Sequence, residues 1–290
     1  MMSITGSLAA SYGPDPRQAF DLLLPVPAQG PLLILLHGGW WRRGHRQDLL
    51  STAAELAQAG HAVACLGYRL LQGSRTGADL VADVVSGVIA CVEEALVSGF
   101  GAGEVPEVVL VGSGAGGLLA ACAAPVLITR GQESGRRAAA KVATSAATRL
   151  RLRGLAMIGT APGLEPWQDC PREVVEVLNR FRGESAVAMP FTAEQALPPA
   201  VLLVHGDNDD EVPAQLAQGL HARLVQRDVA STLAIIAGAG HRFVEDPHSQ
   251  AGRSALNRLG DWLRRLGQPS QGPGEEQPVI GEPAWLNRER

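Results

Sequence analysis

Short apolar runs alternate with longer amphipathic stretches along most of this chain. Seven such runs predict strands: Ala19–Leu24, Leu32–Leu36, Ala62–Leu66, Val108–Val111, Leu155–Gly159, Ala200–Val204 and Thr232–Ile236. They are apolar throughout, which is typical of parallel strands that are covered on both faces. Between them, apolar residues recur at helical spacing, as in Leu80, Val84, Val88 and Cys91, in Leu216, Leu220 and Leu224, and in Leu256, Leu259, Leu263 and Leu266. The pattern predicts a doubly wound, mostly parallel α/β sheet with helices on both faces.

Three segments depart from this alternation. Gly131 to Arg153 collects arginines among alanines and predicts a surface helix extension, either a solvated basic face or a docking surface for an acidic partner. Gly163 to Leu197 has little strand character and predicts a small lid over a cleft. Residues 268–290 are rich in Pro, Gly, Gln and Glu and predict a loosely ordered tail. We therefore expect one α/β domain over residues 1–267.

Composition narrows the classes of function. The formal net charge of −4 argues against a general nucleic-acid binder, and the single lysine, Lys141, leaves little room for Schiff-base chemistry. The four cysteines are widely spaced without a C-x-x-C pair, which favours reduced thiols. The chain shows neither a signal-peptide pattern at its start nor an apolar run of about 20 residues. We expect a cytoplasmic protein without a membrane partner, and the oligomeric state, a homo-oligomer included, stays open.

A glycine-rich turn carries the most informative chemistry. The stretch from Val108 to Gly117 reads as an apolar strand, a tight turn and a helix start, which is the context of the G-x-S-x-G nucleophile elbow. Gly112 and Gly116 are in place, but Gly114 stands where the nucleophilic serine is expected. Ser113 is the neighbouring hydroxyl, although a shift of one residue turns a side chain to a different face. The sequence therefore predicts a nucleophile position without a side chain.

A second glycine loop follows the strand that ends at Leu36. In H-G-G-type loops a backbone N–H group points at the developing oxyanion, and glycine permits close approach of the carbonyl group. Gly38 and Gly39 are the candidates for this role, and the N–H group of Ala115 is the candidate for the second donor. We interpret four nearby residues as candidates for a substrate pocket, the alternative being that they only stabilise and pack the loops: His37, Trp40, Trp41 and Trp167.

Two further loops supply a candidate acid and a candidate base. The stretch from His205 to Pro213 matches the pattern H-G-x-x-D-x-x-V-P, in which Asp209 has the spacing of an acid that orients a histidine. Asp207 and Asp210 are rival carboxylates in the same loop. His241 follows the last predicted strand on a loop of small residues, where a general base is expected. The order of elbow, acid and histidine is the one that α/β-hydrolases use.

These stretches together resemble the α/β-hydrolases of the esterase, lipase and kynurenine-formamidase-like group. They are most similar to the branch of kynurenine formamidases and bifunctional feruloyl and acetyl xylan esterases. The matching stretches are Tyr12-Gly13-Pro14-Asp15, Asp21 to Pro25, His37 to Trp41, Gly67-Tyr68-Arg69, Gly112 to Gly117, His205 to Pro213 and Gly240-His241. The resemblance implies hydrolysis of carboxylic esters or aryl formamides through a serine acyl-enzyme, without a metal or an organic cofactor. Family members typically show G-H-S-A-G-G where this chain has Gly112-Ser113-Gly114-Ala115-Gly116-Gly117.

Three functional hypotheses follow for a small-molecule ester or amide ligand. The first is weak or absent hydrolysis, because loss of a nucleophilic serine costs on the order of a million-fold in turnover. The second is an active hydrolase that uses Ser113, or a water activated by His241, in place of the serine. The third is a non-catalytic module that binds a ligand or a partner protein in the retained cleft.

Overall fold

The computed structural model describes residues 3–101, 105–139, 149–183, 190–192 and 194–266 of the chain. Within these ranges eight strands form one sheet: β1 Ser3–Ser11, β2 Ala19–Val26, β3 Gln29–Leu36, β4 His61–Leu66, β5 Glu107–Ser113, β6 Arg151–Ile158, β7 Ala200–Gly206 and β8 Ala230–Ile236. The strand order is β1-β2-β4-β3-β5-β6-β7-β8, and β2 pairs antiparallel with both β1 and β4. All other pairs are parallel. The predicted doubly wound, mostly parallel sheet is confirmed.

Helices cover both faces of the sheet and create two cores. The six α-helices of the described ranges are α1 Leu50–Gln58, α2 Gly77–Val97, α3 Ala115–Ala139, α4 Arg172–Arg182, α5 Ala214–Val225 and α6 Gln250–Leu266. One core packs α2, α3, α4 and α5 against the sheet, and the other packs α1 and α6. Along β3, Leu32 and Ile34 enter the first core while Leu33 and Leu35 enter the second. Because side chains alternate along a strand, burial on both faces explains why these strands are apolar throughout.

The arginine-rich segment differs from its prediction in part. Helix α3 does continue through Gly131 to Ala139, but residues 140–148 lie outside the described ranges. Arg151 and Arg153 belong to strand β6 rather than to a helix extension. Their guanidinium groups lie 3.5 and 3.1 Å from a carboxylate oxygen of Glu107 on the neighbouring β5. The two arginines lie in the sheet because β6 pairs with β5 and because Glu107 of β5 offers them an opposite charge.

Strand β1 is not among the seven predicted strands, because its small residues give little apolar signal at the edge of the sheet. The predicted lid, Gly163 to Leu197, contains α4, whose apolar face is buried against the first core. Cys65, Cys91 and Cys122 are buried free thiols and Cys170 is half-buried. No described helix combines the length and the apolar character needed to cross a membrane. The tail, residues 268–290, lies outside the described ranges.

Candidate functional site

Four loops meet at the carboxyl ends of the parallel strands. They follow β3, β5, β7 and β8, and this edge is where ligands bind in doubly wound sheets. A cavity of about 380 Å³ opens between them. It is lined by Gly38, Gly39, Arg43, Gly44, His45, Asp48, Ser113, Gly114, Glu211, His241, Arg242 and Glu245. Segments that lie far apart in sequence therefore share one cleft.

The elbow keeps its backbone geometry although it lacks a nucleophile. Strand β5 ends at Ser113 and helix α3 begins at Ala115, so Gly114 alone makes the turn, with φ +50°. Its N–H group donates to the carbonyl of Ile158 at 2.8 Å. A Cβ atom built on Gly114 would lie 3.1 Å from Nε2 of His241. The position that a serine side chain would take therefore faces the imidazole ring.

His241 is oriented by the carboxylate of Asp209. Its Nδ1 lies 3.0 and 2.9 Å from the two carboxylate oxygens, so Nδ1–H donates and Nε2 is directed at the turn. The side chain of Asp209 is fully buried and also accepts from the backbone N–H groups of Glu211 and Val212, at 3.0 and 2.9 Å. Its rival Asp207 instead accepts from the backbone N–H of Gly238. Of the acidic candidates, Asp209 is the one that the structure joins to His241 by a hydrogen bond.

This arrangement stabilises the charged forms of both groups. Burial raises the pKa of Asp209, but hydrogen bonds from His205, His241 and the backbone N–H of Val212 outweigh it and hold that pKa well below its usual range. Burial lowers the pKa of His241, but the hydrogen bond and charge of Asp209, with the charges of Glu211 and Asp210, raise it overall. His241 is therefore more readily protonated than an exposed histidine.

The candidate oxyanion donors lie against the turn. Gly38 and Gly39 line the cavity, and a Cβ atom on Gly38 would lie 3.1 Å from the carbonyl oxygen of Ser113. Gly39 has φ +102°, a conformation that favours glycine. Ala115 is the first residue of α3, where the unpaired N–H groups and the helix dipole favour negative charge. The glycines thus permit the close approach of the two loops that the predicted role requires.

Ser113 occupies a different position from the one that faces His241. It is the last residue of β5, it is 5% exposed and it contributes to the cavity wall. Within the described ranges no hydrogen bond joins its hydroxyl to His241. The structure therefore brings Gly114, rather than Ser113, to the candidate base.

A family model described as "Alpha/beta hydrolase family" matches residues 33–253. The chain belongs to this family. A probable isoprenylcysteine alpha-carbonyl methylesterase ICME of Oryza sativa subsp. japonica is 27% identical over 257 residues, covering 84% of this chain and 60% of the relative. The isoprenylcysteine alpha-carbonyl methylesterase ICME of Arabidopsis thaliana is 36% identical over 115 residues, or 39% of this chain and 26% of that protein. This α/β hydrolase thus spans about 60% or less of the length of these curated relatives.

Solved esterase structures share the fold of this α/β hydrolase. Esterase B from Lactobacillus rhamnosis matches with a TM-score of 0.71 and 19% identity, over 89% of this chain and 84% of that chain. Thermogutta terrifontis esterase 2, phosphonylated by sarin, matches with a TM-score of 0.71 and 20% identity, over 91% and 96%. At this level of identity the likeness establishes the architecture alone.

None of the four predicted pocket residues of this α/β hydrolase lines the cavity directly, although Trp40 donates from Nε1 to Glu211, which does. Trp41 is fully buried, donates from Nε1 to the carbonyl of Ala115 at 2.9 Å and stacks on Phe181. Trp40 stacks on Trp167 with ring centroids 6.4 Å apart. These contacts fit the alternative interpretation, in which the tryptophans pack the loops around the cleft.

His37 has a similar packing environment. Its ring stacks on Tyr68 with centroids 4.3 Å apart, and its backbone carbonyl accepts from the Tyr68 hydroxyl at 2.5 Å. Burial lowers the pKa of His37 to about 4, so the ring is neutral at physiological pH. These contacts stabilise the start of the loop that carries Gly38 and Gly39.

Two residues that contact the Asp209–His241 pair are absent from the candidates that the sequence provides. His205 is buried, and its Nε2 donates to the carbonyl of Val212 at 2.8 Å while lying 3.1 Å from Asp209. It is the first residue of the matched H-G-x-x-D-x-x-V-P stretch, so the motif itself could have identified it. Glu211 lines the cavity with its carboxylate 3.7 Å from Nε2 of His241. No spacing rule marks Glu211, because the contact depends on how two loops meet.

Proposed function

We propose that this α/β hydrolase binds a small carboxylic ester or amide in the cleft and hydrolyses it weakly or not at all. The observation that carries the proposal is Gly114, which has no side chain at the point where a Cβ atom would lie 3.1 Å from the candidate base. The similarity in sequence to methylesterases supports an ester as the ligand class. The aryl-formamide branch of the resemblance remains a prediction about substrate choice.

In this proposal the cleft can still bind a ligand although it has lost most of its catalytic power. In the same proposal the N–H groups of Gly38, Gly39 and Ala115 bind a carbonyl oxygen, and Asp209 orients His241. Without a hydroxyl at Gly114 the acyl-enzyme cannot form at this position. In serine hydrolases that loss amounts to about a million-fold, or roughly 8 kcal/mol of barrier. Oxyanion donors and binding alone account for ~10³–10⁴-fold over water.

The decisive experiment restores the hydroxyl with Gly114→Ser. We expect aryl-acetate hydrolysis to rise by at least about a hundredfold, a part of what a native serine provides. An organophosphonate should then attach once, at the new serine, as mass spectrometry of a peptide digest would show. The gain is partial because Nε2 of His241, 3.1 Å from the Cβ position, must move by a few tenths of an ångström.

Gly114→Ala is the matched control, since it adds the same Cβ atom without a hydroxyl. It should neither gain activity nor react with the phosphonate. The proposal is wrong if the wild type already hydrolyses aryl acetates at rates typical of serine esterases, or if folded Gly114→Ser shows no gain. Methyl ester, aryl acetate and aryl formamide substrates, compared on Gly114→Ser, would then rank the ligand classes.

A second candidate function is slow hydrolysis by water, favoured by the direction of Nε2 into the space over Gly114. The water oxygen would bond to the carbonyl carbon, its proton would pass to Nε2, and the carbonyl π electrons would move to the oxygen. The tetrahedral intermediate would then expel the alkoxide, which takes the proton back from His241. If His241→Ala leaves the residual rate of the wild type unchanged, this route is excluded.

A further inference from the structure

Nε2 of His241 lacks the partner that a nucleophilic hydroxyl would provide. The side chain is 12% exposed and lines the cavity, with Nε2 directed at the turn. Gly114 offers no polar atom on the facing side. A carboxylate oxygen of Glu211, however, lies 3.7 Å from Nε2. Nε2, the atom that would accept the proton of a serine, therefore lies near the carboxylate of Glu211 instead.

Glu211 is held in this position from two directions. Its backbone N–H donates to Asp209 at 3.0 Å, which ties it to the same carboxylate that orients His241. Its Oε2 accepts from Nε1 of Trp40 at 3.0 Å, and Trp40 is itself stacked on Trp167. Trp40, in the loop after β3, thus holds the side chain of Glu211, in the loop after β7. The carboxylate of Glu211 is therefore fixed near Nε2 of His241.

We propose that Glu211 is a second carboxylate partner of His241, which together with Asp209 holds the ring as an imidazolium ion. Asp209 lies at Nδ1 and Glu211 at Nε2, so each N–H group of the charged ring faces a negative charge. An opposite charge within about 4–6 Å favours the charged form of a titrating group. Glu211 is thereby a positioning residue that acts on His241 from the Nε2 side of the ring.

The protonation state of His241 affects hydrolysis in the cleft, and this part of the inference rests on the proposed function. A protonated Nε2 has no lone pair, so His241 cannot accept a proton from water or from an introduced serine. Proton transfer to His241 then requires a pH above its raised pKa. Glu211 suppresses hydrolysis in addition to the loss of the nucleophile.

The other charges near His241 do not duplicate this contact. Asp210 also raises its pKa, after Asp209 and Glu211 in the size of the effect. Arg242 is paired with Glu245, with Nε–O distances of 3.0 and 2.9 Å. The remaining titratable or charged groups of the cavity wall are Arg43, His45 and Asp48, and His205 lies on the far side of Asp209.

The test measures the protonation of His241 directly. Protein labelled with ¹⁵N in its histidines is titrated by NMR, and the signal of His241 is assigned by its loss in His241→Asn. We expect Glu211→Gln, which keeps the shape and can still accept from Trp40, to lower the midpoint by about one unit. Asp210→Asn is the matched control and should lower it by less than half as much. Trp40→Phe, which removes the indole donor, should act in the same direction as Glu211→Gln by a smaller amount.

The inference is overturned if Glu211→Gln leaves the midpoint unchanged, or if Asp210→Asn moves it equally. A second readout uses the Gly114→Ser background, in which Glu211→Gln should shift the acidic limb of the pH–rate profile to lower pH by the same amount. The two proposals fail separately, because the titration needs no catalysis. A Gly114→Ser variant that stays inactive above the titration midpoint of His241, with that midpoint shifted by Glu211→Gln, contradicts only the proposed function. An active Gly114→Ser variant with an unshifted midpoint contradicts only the role of Glu211.

Discussion

The elbow turn has one side that packs against the sheet and one side that faces the cleft. On the packing side, Cβ atoms on Gly112, Gly116 and Gly117 would lie 2.3, 2.3 and 2.2 Å from neighbouring atoms. On the cleft side, the nearest atom to a Cβ atom on Gly114 would be Nε2 of His241 at 3.1 Å, with Gly38 Cα at 3.9 Å. On the packing side glycine is therefore required by the lack of space, whereas on the cleft side it removes the hydroxyl that a serine would provide. This fold therefore retains the geometry of an elbow independently of the chemistry that an elbow normally presents.

The largest effect should come from Gly116→Ala, which tests the packing side. Its Cβ atom would lie 2.3 and 2.4 Å from the backbone carbonyl oxygens of His37 and Leu36, neither of which can rotate away. We expect the free energy of unfolding in urea to fall by about 3 kcal/mol or more. Gly114→Ala should cost less, about 1–3 kcal/mol, from its left-handed backbone. Equal losses in the two variants would contradict the distinction between the two sides.

A smaller loss in the free energy of unfolding is expected from Asp209→Asn, which tests whether the hydrogen bonds on the cleft side stabilise the fold. The fully buried carboxylate serves His241, His205 and two backbone N–H groups, so removing its charge should cost about 2 kcal/mol. The folded-state pKa of Asp209 is depressed, so this stabilisation is present above the unfolded pKa of about 4 and is lost as the pH falls through the folded-state pKa.

Urea titrations of the Asp209→Asn variant and the wild type should therefore converge at acidic pH. Asp207→Asn is the matched control, because that side chain is exposed and accepts from Gly238. An equal loss in both variants would show that the cleft-side network has no special stabilising role.

The smallest effect should come from Ser113→Ala. Because Ser113 ends β5 without a hydrogen bond to His241 in the described part of the chain, its hydroxyl should not act as nucleophile. We expect aryl-acetate hydrolysis by the wild type and by Gly114→Ser to change by less than about twofold, or roughly 0.4 kcal/mol of barrier. If Ser113→Ala lowered the wild-type rate of aryl-acetate hydrolysis tenfold, Ser113 would be the nucleophile, and the distinction between the two sides of the turn would be wrong.

Much of the architecture could be predicted because it depends on local patterns. Doubly buried strands such as β3 and β7 are apolar throughout, and the helical spacing of Leu80, Val84 and Val88 marks the buried face of α2. The edge strand β1 escaped prediction because pairing with β2, rather than its own apolar pattern, holds it in the sheet. The same reason applies to Arg151 and Arg153, whose charge suggested a surface helix although their backbone lies in β6.

By itself, the sequence determined that the elbow position has no hydroxyl, since no fold can supply an atom that Gly114 lacks. Tertiary structure alone decided that Asp209 is the carboxylate bonded to His241, and that the carboxylate of Glu211 lies 3.7 Å from Nε2. It also decided that, among the described residues, no hydrogen bond joins Ser113 to His241. These contacts join loops after β5, β7 and β8, which the order of the parallel strands brings to one edge. Side-chain chemistry can be read residue by residue, whereas distances between loops depend on the packing of the whole sheet.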